Sequence, residues 1–306
     1  MPSRLRRVRP DRDLQGHDRL ALYDAAAHDA AAVLVRRYST SFGLATRLLP
    51  PDQRTPVRDI YALVRLADEI VDGATVEAGG DTSTARDALD GLEERAEAAM
   101  QSGYSSDLIV HAFGVTARAA GIDAELTRPF FASMRTDLDT IRHDEESLRA
   151  YIYGSAEVVG LMCLRVFLMD RPPGERADRY TALAPGAQAL GSAFQKVNFL
   201  RDVAEDSEVL GRSYLPGTDE RQITEAQKAS LLADIDADLR TATEAVDGLP
   251  PGARRAVAVA TALFAELTDR LRSTPAAELS TTRVRVPDPV KARVAARALL
   301  RTRKGR

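Results

Sequence analysis

The 306-residue chain has no tryptophan and one cysteine, Cys163. A single cysteine excludes a disulfide framework within the chain and every zinc pattern built on several cysteines. Its four histidines, His17, His28, His111 and His143, have no HExxH spacing, so the metalloprotease pattern is missing too. Runs of alternating Val, Ile and Thr are scarce and hairpin turns few, which argues against a sheet-based fold. No apolar run approaches the ~20 residues of a membrane-spanning helix. The chain passes from Met1 into arginines without the apolar core of a secretory signal. Gly79-Gly80 lacks both the flanking strand and the Lys-Ser/Thr of a phosphate-binding loop. The expectation is a soluble, cytoplasmic protein.

What the chain does have is ordinary globular material, with 44% hydrophobic and 28% charged residues. At this length a folded chain buries roughly three-quarters of its unfolded surface, so the core needs no staples. Ala, Leu, Arg and Glu dominate, all good helix formers. Breaks at Pro50-Pro51, Gly79-Gly80, Gly103, Gly121, Pro172-Pro173-Gly174, Pro185-Gly186, Pro216-Gly217, Pro250-Pro251-Gly252 and Pro287–Pro289 separate helical blocks. Asp81-Thr82-Ser83-Thr84 reads as a loop with capping residues before a helix near 85–100. With no repeat and no linker, the reading is a single all-α domain over 21–282, a basic tail over 1–20 and a basic segment or helix over 283–306.

The charge is unevenly placed. Residues 1–12 hold five Arg and one Asp, and residues 283–306 hold nine Lys or Arg and one Asp, so a net charge of −3 conceals a middle at −15. An acidic body argues against nucleic acid as a partner. The basic ends suit solubilising tails or peripheral contact with an anionic membrane. Residues 290–301 read as a basic amphipathic helix, either lying on a membrane surface or packed on the body.

Two acidic stripes stand out. In the stretch from Ile60 to Gly73, Tyr61, Arg65, Asp68 and Asp72 fall within about 60° of one another on one helical face. Asp68 and Asp72 are i,i+4 like charges, a mildly destabilising pair that Arg65 alone does not balance. In the stretch from Gln195 to Asp206, the residues Gln195, Asn198, Asp202 and Asp206 share a second stripe, flanked by Val197, Phe199, Leu200 and Val203. Before it, Ala187 to Phe194 is small and apolar, which lets helices approach closely. Each stripe alone could be a solvated face. A solvated face, however, usually mixes Lys, Glu and Arg rather than aligning four oxygen acceptors. Hard divalent cations require oxygen ligands, and Mg²⁺ commonly shares them with phosphates. The pair therefore suggests two helices facing a cavity whose carboxylates hold Mg²⁺ against a diphosphate.

At these residues the chain resembles the squalene/phytoene synthase family, the head-to-head prenyl diphosphate synthases. Tyr38 to Pro50 is similar to its Ser-x-Ser-Phe opening, Ile60 to Gly73 to its first aspartate-rich motif, and Tyr151 to Met162 to its central Tyr…Gly helix. Gln195 to Asp206 is similar to the second aspartate-rich motif, and Gly211 to Pro216 to the segment after it. The wording looks most like bacterial phytoene synthases. The resemblance implies an isoprenoid synthase fold with helices around a central apolar cavity. It implies Mg²⁺ (or Mn²⁺) on Asp68, Asp72, Asn198, Asp202 and Asp206, and catalytic roles for Arg65, Tyr151, Asp68 and Asp202. Substrate contacts would fall to Ser39, Ser41, Phe42, Tyr61, Arg65, Gln195, Arg201, Arg212 and Tyr214. The implied reaction joins two geranylgeranyl diphosphates through a cyclopropyl intermediate to phytoene, in carotenoid biosynthesis, without NADPH. Alternatives are a C30 enzyme acting on farnesyl diphosphate, to presqualene diphosphate, squalene or dehydrosqualene, and a non-catalytic helical assembly protein of the same fold.

Two departures from the family pattern are visible. Glu157 stands where many members carry a small residue, and no tyrosine follows Tyr214 although the Arg283-Val284 stretch is present. Phe42, Met162 and Phe167 are expected to plug the cavity and so bear on substrate length. Cys163 reads as a small core side chain. His143-Asp144-Glu145-Glu146 reads as a solvated helix start, its acids suited to an N-terminal turn.

Overall fold

Proline and glycine set most of the helix boundaries. The structure, a computed structural model, describes residues 19–39, 41–139, 143–205, 223–279 and 281–304. Among them the order is α1 (Arg19–Tyr38), α2 (Ser41–Thr46), α3 (Pro51–Asp72), α4 (Ala74–Glu77), α5 (Thr82–Ser102), α6 (Leu108–Ala120), α7 (Ala124–Asp139) and α8 (Glu145–Ile152). A π-helical turn (Tyr153–Glu157) follows, then α9 (Val158–Leu168), α10 (Pro173–Glu205), α11 (Glu225–Val246), α12 (Pro251–Ser273), α13 (Ala276–Leu279) and α14 (Asp288–Lys304). The described residues contain no strand.

Pro51 and Pro251 open α3 and α12, where the missing N–H costs nothing. Asp81 caps α5 by accepting from the Thr84 N–H at 2.8 Å, so Thr82 to Thr84 form its first turn rather than the expected loop. The expected break at Pro185-Gly186 is also absent, because α10 runs unbroken from Pro173 to Glu205. Proline removes one backbone bond there, but Gly186 packs on α11 so closely that an added Cβ would lie 2.2 Å from the Ala245 Cβ. Tertiary packing overrides the local signal.

The two largest apolar clusters hold most of the helices. One joins α3, α5, α6, α7 and α9 through Ile60, Leu63, Leu92, Phe113, Phe130 and Leu164. The other joins α10, α11 and α12 through Val197, Leu200, Leu232, Ile235 and Leu271. The stretch Glu145–Leu168 is, by length and composition, apolar enough to cross a membrane, contrary to the sequence expectation. In the structure it is a central element, packed against α3, α7 and α10.

Close packing fixes the residue type inside the π-helical turn. An added Cβ on Gly154 would meet the Ser133 Oγ at 2.1 Å and the Pro129 carbonyl oxygen at 2.2 Å, so only glycine lets this turn press against α7. The Ser133 hydroxyl donates to the Tyr151 carbonyl at 3.2 Å. A π-turn inside a helix is a frequent feature of functional sites.

Candidate active site

The C-terminal half of α3 carries the first stripe. The Tyr61 ring stacks on Phe42 with centroids 4.7 Å apart. Tyr61 also shares a hydrogen bond with Ser39, and burial pushes its phenol above the ordinary range. Ser39 Oγ accepts from the Phe42 N–H at 3.2 Å. Ser39, Phe42 and Tyr61 are thus brought together, whereas the Ser41 side chain lies outside the described part. Arg65 pairs with Glu69 one turn on, and its guanidinium lies 4.4 Å from the Tyr38 ring centre.

Asp68 is the strained member. Burial, then the charge of Asp72, push its carboxyl up to about 8, with Asp137 of α7 adding to the rise and Arg65 opposing it. Acids in this position ionise together readily only when a cation joins them. That, with a donor set made of oxygens, fits Mg²⁺. Among the described residues no three acidic, histidine or cysteine side chains form a ready-made cage. Mg²⁺ fits such a site, because it keeps several waters and takes one or two carboxylates plus phosphate oxygens.

The second stripe lies on the last turns of α10. Arg201 forks its neighbour Asp202, with Nε donating to Oδ1 at 2.9 Å and the terminal nitrogen to Oδ2 at 2.5 Å. Arg283, from the connection before α14, reaches the same carboxylate at 3.1 Å. Asp202 therefore gathers two guanidiniums, which is also how a diphosphate would be met. Asp206, Arg212 and Tyr214 lie outside the described residues, as does the basic tail up to residue 18.

Tyr151 lies between Asp137 of α7 and Phe199 of α10. Its hydroxyl donates to Asp137 Oδ2 at 3.0 Å, and its ring lies 6.2 Å from that of Phe199 on α10. His143, expected to be solvated, is buried against the Tyr151 ring at 5.2 Å, and burial pulls its pKa down. The rest of that segment starts α8, with Asp144 and Ser147 capping each other's backbone N–H. Glu157, the unexpected acid, accepts from Gln188 Nε2 at 3.3 Å, and burial raises its pKa.

A cavity of about 350 Å³ opens beside Tyr61 and Asn198, one residue from each stripe. Tyr61 and Val64 line it from α3, and Asn198 and Phe194 from α10; Phe42 and Phe167 also line it. Met162 does not: it is 1% exposed and packed in the first core cluster, one helical face away from the void. Cys163 is at the wall, its thiol pushed up to about 12 by burial and so never a thiolate at neutral pH. Phe194 stacks on Phe264 of α12 with centroids 3.5 Å apart.

Sequence reasoning missed Asp137 as a site residue and gave Arg283 no role. Asp137 could have been found, since it continues the buried face of Thr127, Phe130 and Met134 on α7, where an acid is unusual. Arg283 carries no such signal, because its contact depends on how the chain returns to α10.

Residues 35–289 match the family described as squalene/phytoene synthase. Chloroplastic phytoene synthase 3 of Zea mays is 35% identical over 208 residues, which are 68% of this chain and 46% of the relative. The 15-cis-phytoene synthase of Synechocystis sp. is 34% identical over 194 residues, 62% of this chain and 56% of the relative. The matched stretch thus spans about half the length of these curated relatives. In three dimensions the chain is similar to a dehydrosqualene synthase solved with a ligand, at TM-score 0.77 and 22% identity, covering 92% of this chain and 99% of that one. It is also similar to squalene synthase HpnC from Alicyclobacillus acidocaldarius, at TM-score 0.68 and 20% identity, covering 82% of this chain and 95% of that one. These likenesses show the all-α isoprenoid synthase fold, and the family match over most of the chain places the protein in the squalene/phytoene synthase family.

Proposed function

We propose that this protein condenses two geranylgeranyl diphosphates head-to-head, through a cyclopropyl diphosphate, to phytoene. One observation carries the reading: Tyr61 and Asn198, one from each oxygen-rich stripe, border one apolar cavity, and on the first stripe burial and the neighbouring Asp72 push Asp68 towards protonation. The names of the relatives, phytoene synthases at 34–35% identity, favour the C20 substrate over the C15 one.

Asp68, Asp72, Asn198 and Asp202 would hold Mg²⁺, and the family resemblance adds Asp206, which lies outside the described residues. When bound, the ion neutralises charge on the departing diphosphate. Arg65, Arg201 and Arg283 supply further positive charge, and Gln195 a neutral donor, where that group leaves. The C1–O bond of one substrate breaks and its electron pair departs with diphosphate. The C2–C3 double bond of the second substrate attacks the allylic cation, and loss of one proton closes the cyclopropane. The second C–O bond then breaks, the ring opens to the 1–1′ linkage, and loss of a second proton leaves the central double bond. No hydride enters, so NADPH is not needed. Phe42 and Tyr61, stacked at the cavity wall, would exclude water from the cations, and Tyr151 would stand near the reacting centre.

We further propose peripheral contact with the cytoplasmic face of an anionic membrane. The inner face of α14, including Val294, Ala298 and Leu299, packs on α12 and α2. Its outer face presents Arg293, Ala296, Arg297 and Leu300 to solvent, with Leu300 59% exposed. A basic face with apolar residues suits an anionic lipid surface, and a very hydrophobic product suits delivery there.

The test is diphosphate release from geranylgeranyl diphosphate with Mg²⁺. Release should vanish in Asp68→Ala and in excess chelator while the helical circular dichroism of the variant stays unchanged. Full release in chelator would refute the mechanism.

A further inference from the structure

The cavity has a direction that follows from helix register. Asn198, Phe194, Gly191, Ala187 and Leu183 all line it along one side of α10. Asn198 belongs to the metal stripe, so Leu183, fifteen residues earlier, lies about 22 Å deeper at the helical rise per residue. The partner helix runs the opposite way: Gly186 abuts Ala245, and an added Cβ on Gly248 would lie 2.6 Å from Leu183. Leu249, which also lines the cavity, therefore sits at the same depth as Leu183. Both are buried to 8% exposure. They form the floor.

Just above that floor the walls shrink. Ala245 of α11 and Val257 of α12 line the cavity and keep partial exposure within it. From Gly186, level with Ala245, to Leu183 is about one helical turn, or ~5 Å, close to the reach of one isoprene unit. A bulky side chain at this level would lift the floor by about that unit. Removing Leu249 would lower it.

We infer that Ala245 and Val257, over a floor made by Leu183 and Leu249, set the prenyl chain length this protein accepts: the small walls admit the fourth isoprene unit and the leucines stop a fifth. This rests on the proposed head-to-head reaction and names the residues that tune its substrate. Hydrophobic pockets discriminate one extra or missing unit by steric exclusion and lost burial, so the effect reads as a change in preference rather than in chemistry.

The experiment measures kcat/KM with geranylgeranyl, farnesyl and geranylfarnesyl (C25) diphosphates, with product mass, for wild type, Ala245→Leu, Val257→Phe and Leu249→Ala. Folding is checked by circular dichroism and melting. In either bulky variant that folds, the C20-to-C15 preference should fall by about tenfold or more, the range for a lost fit in an apolar pocket. Leu249→Ala should gain turnover of the C25 substrate. Two bulky variants on different helices guard against one failing to fold beside the tight Gly186 contact. If the wild type makes a C40 product and no folded variant shifts preference, the floor assignment is wrong while the reaction stands. A wild type inactive on all three substrates overturns both the reaction and this inference.

Discussion

The Tyr151 hydroxyl donates to Asp137 at 3.0 Å, and Asp137 in turn bears on the ionisation of Asp68. One hydrogen bond thereby links the start of the π-turn to the first acidic stripe. Both partners are buried, at 5% and 8% exposure. Removing the donor with Tyr151→Phe leaves a buried carboxylate short of a bond, a loss of about 1–3 kcal/mol. Thermal or urea unfolding should show that loss, and kcat should fall by about tenfold with KM little changed. An unaltered kcat would mean that Tyr151 is only a packing residue.

Asp68 predicts a pH dependence of stability. Its carboxyl is raised from 3.8 to about 8 by burial and Asp72. The folded protein therefore holds a proton that the unfolded chain releases, and its stability falls as pH rises from about 4 through about 8. Asp68→Asn removes that fall. At pH 8.5 without metal the variant should melt above wild type, although it is inactive. His28, whose pKa is raised mainly by its pairing with Asp59, contributes in the same direction, so some slope should remain. Equal melting of the two proteins at pH 8.5 would contradict the burial-driven shift.

Arg65 is the residue we expect to separate the two ionisations. It is held by Glu69 and lies over Tyr38 on the same face as Asp68. Arg65→Lys keeps the charge and loses the planar fork that matches two phosphate oxygens. We expect the second departure to slow by roughly a hundredfold, the scale for one transition-state contact. The cyclopropyl alcohol should then appear beside phytoene after dephosphorylation of the products. If both steps slow together and no cyclopropyl species is seen, Arg65 serves the first ionisation or binding.

The outer face of α14 predicts lipid contact. Wild type should co-sediment with vesicles containing phosphatidylserine and not with neutral ones, and binding should weaken in higher salt. The double change Arg293→Glu and Arg297→Glu should abolish co-sedimentation and leave activity on detergent-dispersed substrate intact. Equal binding to neutral vesicles would remove the electrostatic account.

Much of this was legible in the sequence because helical spacing is geometry. The alignment of Asp68 with Asp72, and of Gln195 with Asn198 and Asp202, follows from 3.6 residues per turn. Contacts made by chain return were not legible. The approach of Arg283 to Asp202, and the tie from Asp137 to Tyr151, depend on where distant elements pack. Pro185-Gly186 misled for a related reason: its local preference is to break a helix, and packing of Gly186 on Ala245 outweighs it. Met162 was placed at the cavity from its neighbourhood in the motif, but the face it occupies is settled by the core.

The central claim is a head-to-head C40 condensation, and one measurement addresses it most directly. The full chain is incubated with geranylgeranyl diphosphate and Mg²⁺, with and without NADPH, and the hydrocarbon product is weighed by mass spectrometry. The account predicts a C40 hydrocarbon with the mass of phytoene, formed equally well in both cases. A protein that ignores geranylgeranyl diphosphate and yields a C30 product from farnesyl diphosphate would contradict it.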